Sequence, residues 1–374
     1  MRRFGALSVE MRISVLASGI KVTGNENAVL FPLIKNKDFL RNEYGVSLSF
    51  YTDHKKLLKN KSDKIILSSW YLGRKLGLWK KDRRQLEALL ISLRNNCDSL
   101  IWYDISDSTG TTQFEVLDLV DVYWKCQLLS SVDAYRKPTV TGRVFSDYFS
   151  DYWAVDNDIP QEPHLLTPPS ENNISKIKLA WNTGLSDYSL TAPIKNRVYR
   201  NLGMAYTPRR YATSFKPARL NRDNFISCRF GTSYKRKSVS IGREKTAEYL
   251  SKYQKTNKLN RFQYFKEMAN SNFVVSPFGL GEITLRDFEA FLCGAVVIKP
   301  KMSHMQTWPD FFSPDKIIEY QWNLENFNQI VEECREDTHK LRDMAEVSQS
   351  EYLKYTCGPD STKLFCARLL QLLA

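Results

Sequence analysis

The chain lacks any apolar run of the roughly 18 residues that a membrane-crossing helix requires, which excludes a helical anchor within it. Its first ten residues carry two arginines but only a short apolar stretch, broken by Glu10, so a secretory signal is not expected. Cysteine is sparse and unpatterned. The seven residues, at 97, 126, 228, 293, 334, 357 and 366, are odd in number and contain no C-x-x-C pair. That excludes a disulfide scaffold and a zinc ribbon, and predicts reduced, mostly buried thiols in a cytosolic protein. No metal site is expected. There is no repeat of fixed period and no low-complexity tract.

What is present points to a folded, aromatic-rich protein. Hydrophobic residues make up 43% and charged residues 25%, which places the chain among globular proteins. Its 374 residues suffice for two domains with real cores. The net charge of +13 answers either to solubility or to an anionic partner: nucleic acid, a sugar-phosphate donor or a membrane surface. No zinc finger, nucleic-acid motif or sustained basic helix occurs, so nucleic acid is not an expected partner.

Short apolar runs alternate with helical patterns. Strands are expected at 12–18, 46–51, 64–69 and 99–104, with helices at 27–43 and 82–95. Near-continuous apolar strands separated by helices predict a parallel sheet covered on both faces. A polar, proline-rich stretch follows at 154–173, and prolines interrupt 191–224. Alternation then resumes, with strands at 225–229, 272–276 and 295–299 and helices at 242–253, 261–269, 324–335, 338–352 and 362–373. The expected fold class is α/β: two Rossmann-like, doubly wound domains facing a cleft. Residues 1–205 form the first, 206–358 the second, and 359–374 a closing helix. Ligands in such sheets bind beyond the carboxyl ends of the strands.

The stretch from Ser276 to Pro300 is the most informative. It reads as a strand, a glycine turn around Gly279 and Gly281, a short helix and a buried strand. A glycine turn at the carboxyl end of a strand exposes backbone N–H groups where a helix begins, a site for phosphate. Glu282, Arg286 and Glu289 are candidates to face the same cleft, though Arg286 and Glu289 serve equally as an ion pair within the helix. Lys299 and His304 follow the next strand directly, placed to neutralise a phosphate and to donate a hydrogen bond to it. Arg229, Lys235 and Arg243 lie in the first strand–loop–helix unit of the second half, whose basic loop reads, on its residues alone, as a solvated face.

In the first half, Gly19, Asn25 and Glu26 follow the first strand in a glycine-containing loop. Asp104 and Asp107 stand at a strand end, where an acid can serve as general base toward an acceptor hydroxyl. A capped turn at Asp107 explains that residue equally well.

Phe278-Gly279, Glu289-Ala290, Gly294 and the strand residues 295–298 resemble the donor-binding segment of glycosyltransferases of the GT-B fold. The spacing Arg286-x-x-Glu289-Ala290 is closest to the exostosin-like variant. The likeness runs loosely through the last hundred residues. It departs from the retaining pattern of paired glutamates eight positions apart: Glu282 lies seven before Glu289, and the loop is about two residues longer. The resemblance implies a glycosyltransferase that moves a sugar from a phosphate-activated donor to a hydroxyl of a growing glycan. It further implies Glu289 or Glu282 on the donor sugar or ribose, no metal cofactor, and a closing helix that crosses back to the first domain. The same resemblance implies Arg229, Lys235 and Arg243 in contact with the donor's diphosphate, and Gly19, Asn25 and Glu26 on the acceptor side of the cleft. By the same analogy it suggests bacterial surface-polysaccharide assembly, of O-antigen or capsule, on a lipid-linked acceptor at the inner face of the membrane. Asp104 with Thr109-Gly110 and Thr112 is similar, over nine residues, to the phosphoribosyl-pyrophosphate loop of phosphoribosyltransferases, with Ile105 where a second acid belongs. That reading implies Mg²⁺. A sugar- or nucleotide-binding module without catalysis is the third possibility.

Overall fold

The computed structural model describes residues 11–19, 24–78, 82–137, 139, 141–155, 168–195 and 214–374. Two parallel sheets carry it. The first contains β1 (Met11–Leu16), β2 (Val46–Tyr51), β3 (Ser62–Ser68), β4 (Cys97–Asp104), β5 (Val122–Lys125) and β7 (Ile177–Leu179), in the order β2-β1-β3-β4-β5-β7. Every pairing is parallel. The second contains β8 (Asn224–Ser227), β9 (Ser271–Val275), β10 (Val296–Pro300) and β12 (Ile317–Tyr320), in the order β12-β10-β9-β8, again parallel.

The strand sequences explain this. Ile65, Ile66 and Leu67 are all fully enclosed, as are Val296, Val297 and Ile298, so consecutive side chains on both faces are covered. Helices supply the cover. In the first half these are α1 (Asn25–Tyr44), α2 (Arg83–Arg94) and α3 (Val144–Tyr152); in the second, α4 (Lys237–Leu250), α5 (Arg261–Ala269), α6 (Leu285–Leu292), α7 (Phe327–Glu336), α8 (Thr338–Thr356) and α9 (Ser361–Leu373). Helix α1 ends because Gly45 takes φ 65°, the left-handed conformation that glycine adopts without penalty, and its N–H closes on the Leu40 carbonyl. Helix α4 begins at Lys237 rather than near 242, because Ser238, Val239 and Ser240 are already buried. No helix among the described residues is long and apolar enough to cross a membrane.

The strand order places a switch point between β1 and β3, where the chain leaves toward opposite edges. Glu26 closes this point. It is buried and accepts from the Ser18 N–H at 2.9 Å, from the Ser68 hydroxyl at 2.5 Å and from the Ser18 hydroxyl.

The two sheets share packing. One hydrophobic cluster includes Val29, Leu33, Trp124 and Trp181 from the first half and Phe288, Phe291, Tyr352 and Phe365 from the second. The rings of Trp181 and Phe365 meet at 5.1 Å, nearly perpendicular. Helix α9 lies against α1 and the first sheet: Arg368 donates to the Leu179 carbonyl, and nearby Lys35 donates to the Thr356 carbonyl at 2.8 Å. A short antiparallel ladder, not foreseen in the sequence, joins β6 (Gln127–Leu129) to β11 (Met305–Thr307) and so bridges the halves.

Candidate active site

A cavity of about 660 Å³ opens where the carboxyl ends of the two sheets meet. From the first half, Asn25, Ser106, Asp107 and Gln127 line it. From the second come Arg229, Tyr234, Arg243, Lys258, Arg261, Tyr264, Gly279, Gly281, Arg286 and Glu289.

The loop after β4 carries the two candidate bases, and their surroundings separate them. Asp104 is fully enclosed and already engaged: it accepts from the Tyr123 hydroxyl at 2.6 Å, from Lys125 Nζ at 2.9 Å and from the Ser106 N–H at 2.8 Å. It does not line the cavity, so it is not placed for the base role expected of it. Asp107 does line the cavity and accepts from Asn25 Nδ2. Burial pushes its carboxyl above the usual aspartate range, against the pull of Arg143, Arg74 and Lys125.

The glycine turn is not an open cradle throughout. A Cβ on Gly281 would stand 1.8 Å from the Asp107 carbonyl oxygen, so the turn is pressed onto the opposite half and only glycine fits. The Gly279 N–H is spent within the turn, on the Gly281 carbonyl at 3.0 Å. Glu282 then reaches across, accepting from the Thr109 N–H at 3.1 Å, the Thr109 hydroxyl at 2.6 Å and the Ser108 hydroxyl at 3.2 Å. Burial pushes the Glu282 carboxyl up, but the adjoining His304 imidazole and Thr109 outweigh it and hold the carboxyl below the usual range. Glu282 is therefore a strut between the halves, not a donor ligand. His304, with Nε2 3.5 Å from it, backs the strut and does not reach the cavity.

Helix α6 starts with a capping box in which Thr284 and Asp287 satisfy each other's backbone N–H groups. Asp287 also takes Lys299, whose Nζ lies 2.9 and 3.0 Å from its two oxygens, with both side chains fully enclosed. Lys299 is thus committed to the core and cannot neutralise a phosphate in the cavity. Arg286 and Glu289 do line the cavity, but do not pair with each other. Glu289 accepts from Arg261 and from the Tyr264 hydroxyl, both at 3.1 Å, and burial pushes its carboxyl up. Arg286 donates to the Arg229 carbonyl at 2.7 Å, while its Nε is buried without a partner.

Arg229 and Arg243 also reach the cavity, by different routes. Arg229 is held by Glu267 through three hydrogen bonds of 2.6 to 3.0 Å. Arg243 donates to the carbonyls of Gly231 and Phe278 and lies between the rings of Phe230 and Tyr234. Burial pulls its pKa down to about 10, so it stays charged at neutral pH. Lys235 is exposed and outside the cavity, and Gly19 likewise does not line it.

The sequence reading missed Lys258, Arg261 and Tyr264. Their signal was present: Asn260 caps α5 by accepting from the Gln263 N–H at 2.9 Å, which turns Arg261 and Tyr264, three apart, onto one face. Among the described residues no three His, Cys, Asp or Glu side chains gather as a metal set.

No protein-family model matches the sequence, and comparison with curated proteins returns no match. Solved structures show a distant likeness over nearly the whole chain. HepE from Anabaena, solved with UDP and glucose, is 12% identical, with 97% of this chain and 99% of that one covered and a TM-score of 0.47. The catalytic domain of starch synthase IV from Arabidopsis thaliana, bound to ADP and acarbose, is 9% identical over 97% and 99%, at 0.44. Sucrose-phosphate synthase from Thermosynechococcus elongatus is 10% identical over 97% and 99%, at 0.41. At these scores the likeness carries no weight for ligand or activity, and the fold description rests on the two parallel sheets themselves.

Proposed function

We propose that the chain is a glycosyltransferase that moves a sugar from a nucleoside-diphosphate donor to an acceptor hydroxyl. One observation carries the reading: a single cavity between two parallel sheets has Arg243, Arg286 and Lys258 on one wall and a half-buried carboxylate, Asp107, on the other. The cations supply what a departing diphosphate needs, fixed positive charge in a partly enclosed site. Arg286 is the foremost candidate, because its buried Nε has no protein partner. Glu289, held by Arg261 and Tyr264, is placed to accept from a hydroxyl of the donor's ribose or sugar. Asp107, with its raised pKa, takes the proton of the acceptor hydroxyl as that oxygen attacks the anomeric carbon. The carbon–oxygen bond to the diphosphate breaks with its electron pair on the phosphate. This division of labour describes an inverting transfer.

A phosphoribosyl-pyrophosphate donor is less well supported. The Thr109 N–H and hydroxyl, which such a loop would offer to pyrophosphate, are given to Glu282, and Asp104 is given to Lys125. The net charge of +13 suits a lipid-linked acceptor at an anionic membrane face, as in bacterial surface-polysaccharide assembly, and we place the protein there by analogy.

The test is a panel of nucleotide sugars and phosphoribosyl pyrophosphate, with and without Mg²⁺, read by release of nucleotide or pyrophosphate. Release of a nucleoside diphosphate without Mg²⁺ is expected. Binding of a donor with no turnover under any condition would leave a binding module and sink the enzyme.

A further inference from the structure

A second groove of about 510 Å³ lies away from the cavity, between the end of α3, the last turn of α4 and the turn that leads into α7. Its walls are of two kinds. Tyr152, Trp153 and Tyr249 supply aromatic rings, with Tyr152 48% exposed and set edge-on to Trp153 at 84°. Asn323, Asn328 and the Lys245–Glu248 pair, 3.0 Å apart, present donors and acceptors side by side.

Three observations single it out. Tyr152 is stacked on Tyr148 at 5.7 Å and 9°, a flat, pre-formed aromatic platform at the surface. The aromatics continue inward: Tyr148 meets Trp322 at 5.4 Å, and Trp322 meets Phe278 at 5.9 Å, beside the glycine turn. The backbone at the groove is also strained. Among the described residues three that are not glycine have positive φ, and one of them is Asn221, a residue type that tolerates it. The other two are Ala154, at 48°, directly after Trp153, and Leu324, at 67°, in the groove wall. Side chains with a Cβ are held so only where the surroundings impose it, which is commonest at ligand sites.

We propose that this groove binds a segment of a polysaccharide chain. The apolar faces of two or so sugar rings lie on Tyr152 and Trp153, and their hydroxyls exchange hydrogen bonds with Asn323, Asn328 and the Lys245–Glu248 pair. Sugars combine an apolar C–H face with a rim of groups that both donate and accept, and the groove offers that same combination. A nucleic-acid strand fits less well, because Glu248 stands among the cations. The inference deepens the glycosyltransferase reading and rests on it for its purpose: the groove holds the glycan while its end is extended. Helix α4 links the two places, carrying Arg243 in the cavity and Tyr249 in the groove, about 9 Å further along its axis at 1.5 Å per residue.

The experiment uses the full chain and a panel of hexasaccharides: α- and β-linked glucans, mannan, galactan, rhamnan and an N-acetylhexosamine polymer. Binding is followed by calorimetry and by Trp fluorescence, beside the titration of UDP. At least one hexasaccharide is expected to bind, and Tyr152→Ala and Asn328→Ala to weaken it ten-fold or more while UDP affinity and melting temperature stay unchanged. No binding across the panel, or binding by both variants as tight as the parent's, overturns the proposal. Donor turnover is measured separately on the same samples: glycan binding that depends on Tyr152, in a protein that turns over no donor, keeps the groove and removes the enzyme.

Discussion

Asp104, which ends β4, and Asp107, in the loop that follows, meet opposite surroundings, and that contrast sets the first prediction. Asp107→Asn keeps the shape and the Asn25 contact but removes the base, so transfer is expected to fall about 10²- to 10⁴-fold, measured by nucleotide release. Burial raises the folded carboxyl's pKa above its unfolded value, so the favourable contribution of this group is present at low pH and is lost as pH rises through the folded pKa. The amide does not ionise, and the variant is therefore expected to melt at the same temperature as the parent at neutral pH, or higher. In the parent, kcat/KM is expected to drop on acidification along a limb displaced upward from that of an ordinary aspartate. The second prediction concerns Lys299. Lys299→Ala strands the buried Asp287 carboxylate and is expected to lower stability by about 3–5 kcal/mol in urea unfolding, with donor KM unchanged in whatever remains folded. A fully stable variant with a raised donor KM would return Lys299 to the cavity. Position at a strand end pointed to Lys299 as a site residue, and its burial against Asp287 corrects that. Its partner was legible too, since Thr284-x-x-Asp287 is a capping signature, but the sequence does not say that one carboxylate serves both the cap and the lysine.

At the scale of elements, the glycine turn and α6 do two jobs. Gly279 and Arg286 face the cavity, while Gly281 and Glu282 fasten the halves together. Gly281→Ala brings a methyl group into the Asp107 carbonyl, so it is expected to displace the turn, lower the melting temperature and abolish transfer. Glu282→Gln, which keeps an acceptor for Thr109, is expected to retain more activity than Glu282→Ala; equal loss in both would argue for a charge role instead. Strands β1 to β4 and β8 to β10, and the helices other than α3, were readable because apolar runs and 3.6-residue spacing fix them locally, whereas α3 and the short strands β5, β7 and β12 were not foreseen. Strand β11 was not, because Met305–Thr307 is three residues long and becomes a strand only through β6. Arg286 and Glu289 lie on a helix that lines the cavity, but the partner of Glu289 comes from α5, and no local pattern announces a contact 28 residues away.

At the scale of the molecule, the hydrophobic cluster that runs through both halves argues against two independently stable units. Calorimetry is expected to show one cooperative unfolding transition, and fragments 1–205 and 206–374 made separately are expected to remain unfolded. Two resolved transitions would overturn this. The alternation of strands and helices announced two sheets, but it cannot announce a common core, because packing between remote segments leaves no period in the sequence.

The β6–β11 ladder has a kinetic meaning. Its rungs pair Gln127 with Thr307, Leu128 with Gln306 and Leu129 with Met305, and the Ser130 N–H extends it to the His304 carbonyl at 2.8 Å. A hinge that had to swing on every turnover would have to break this row each time. For the proposed transfer the ladder therefore predicts a cleft of set gauge, whose pace follows the diffusion of small donors and the bond-making step and not the breathing of two lobes.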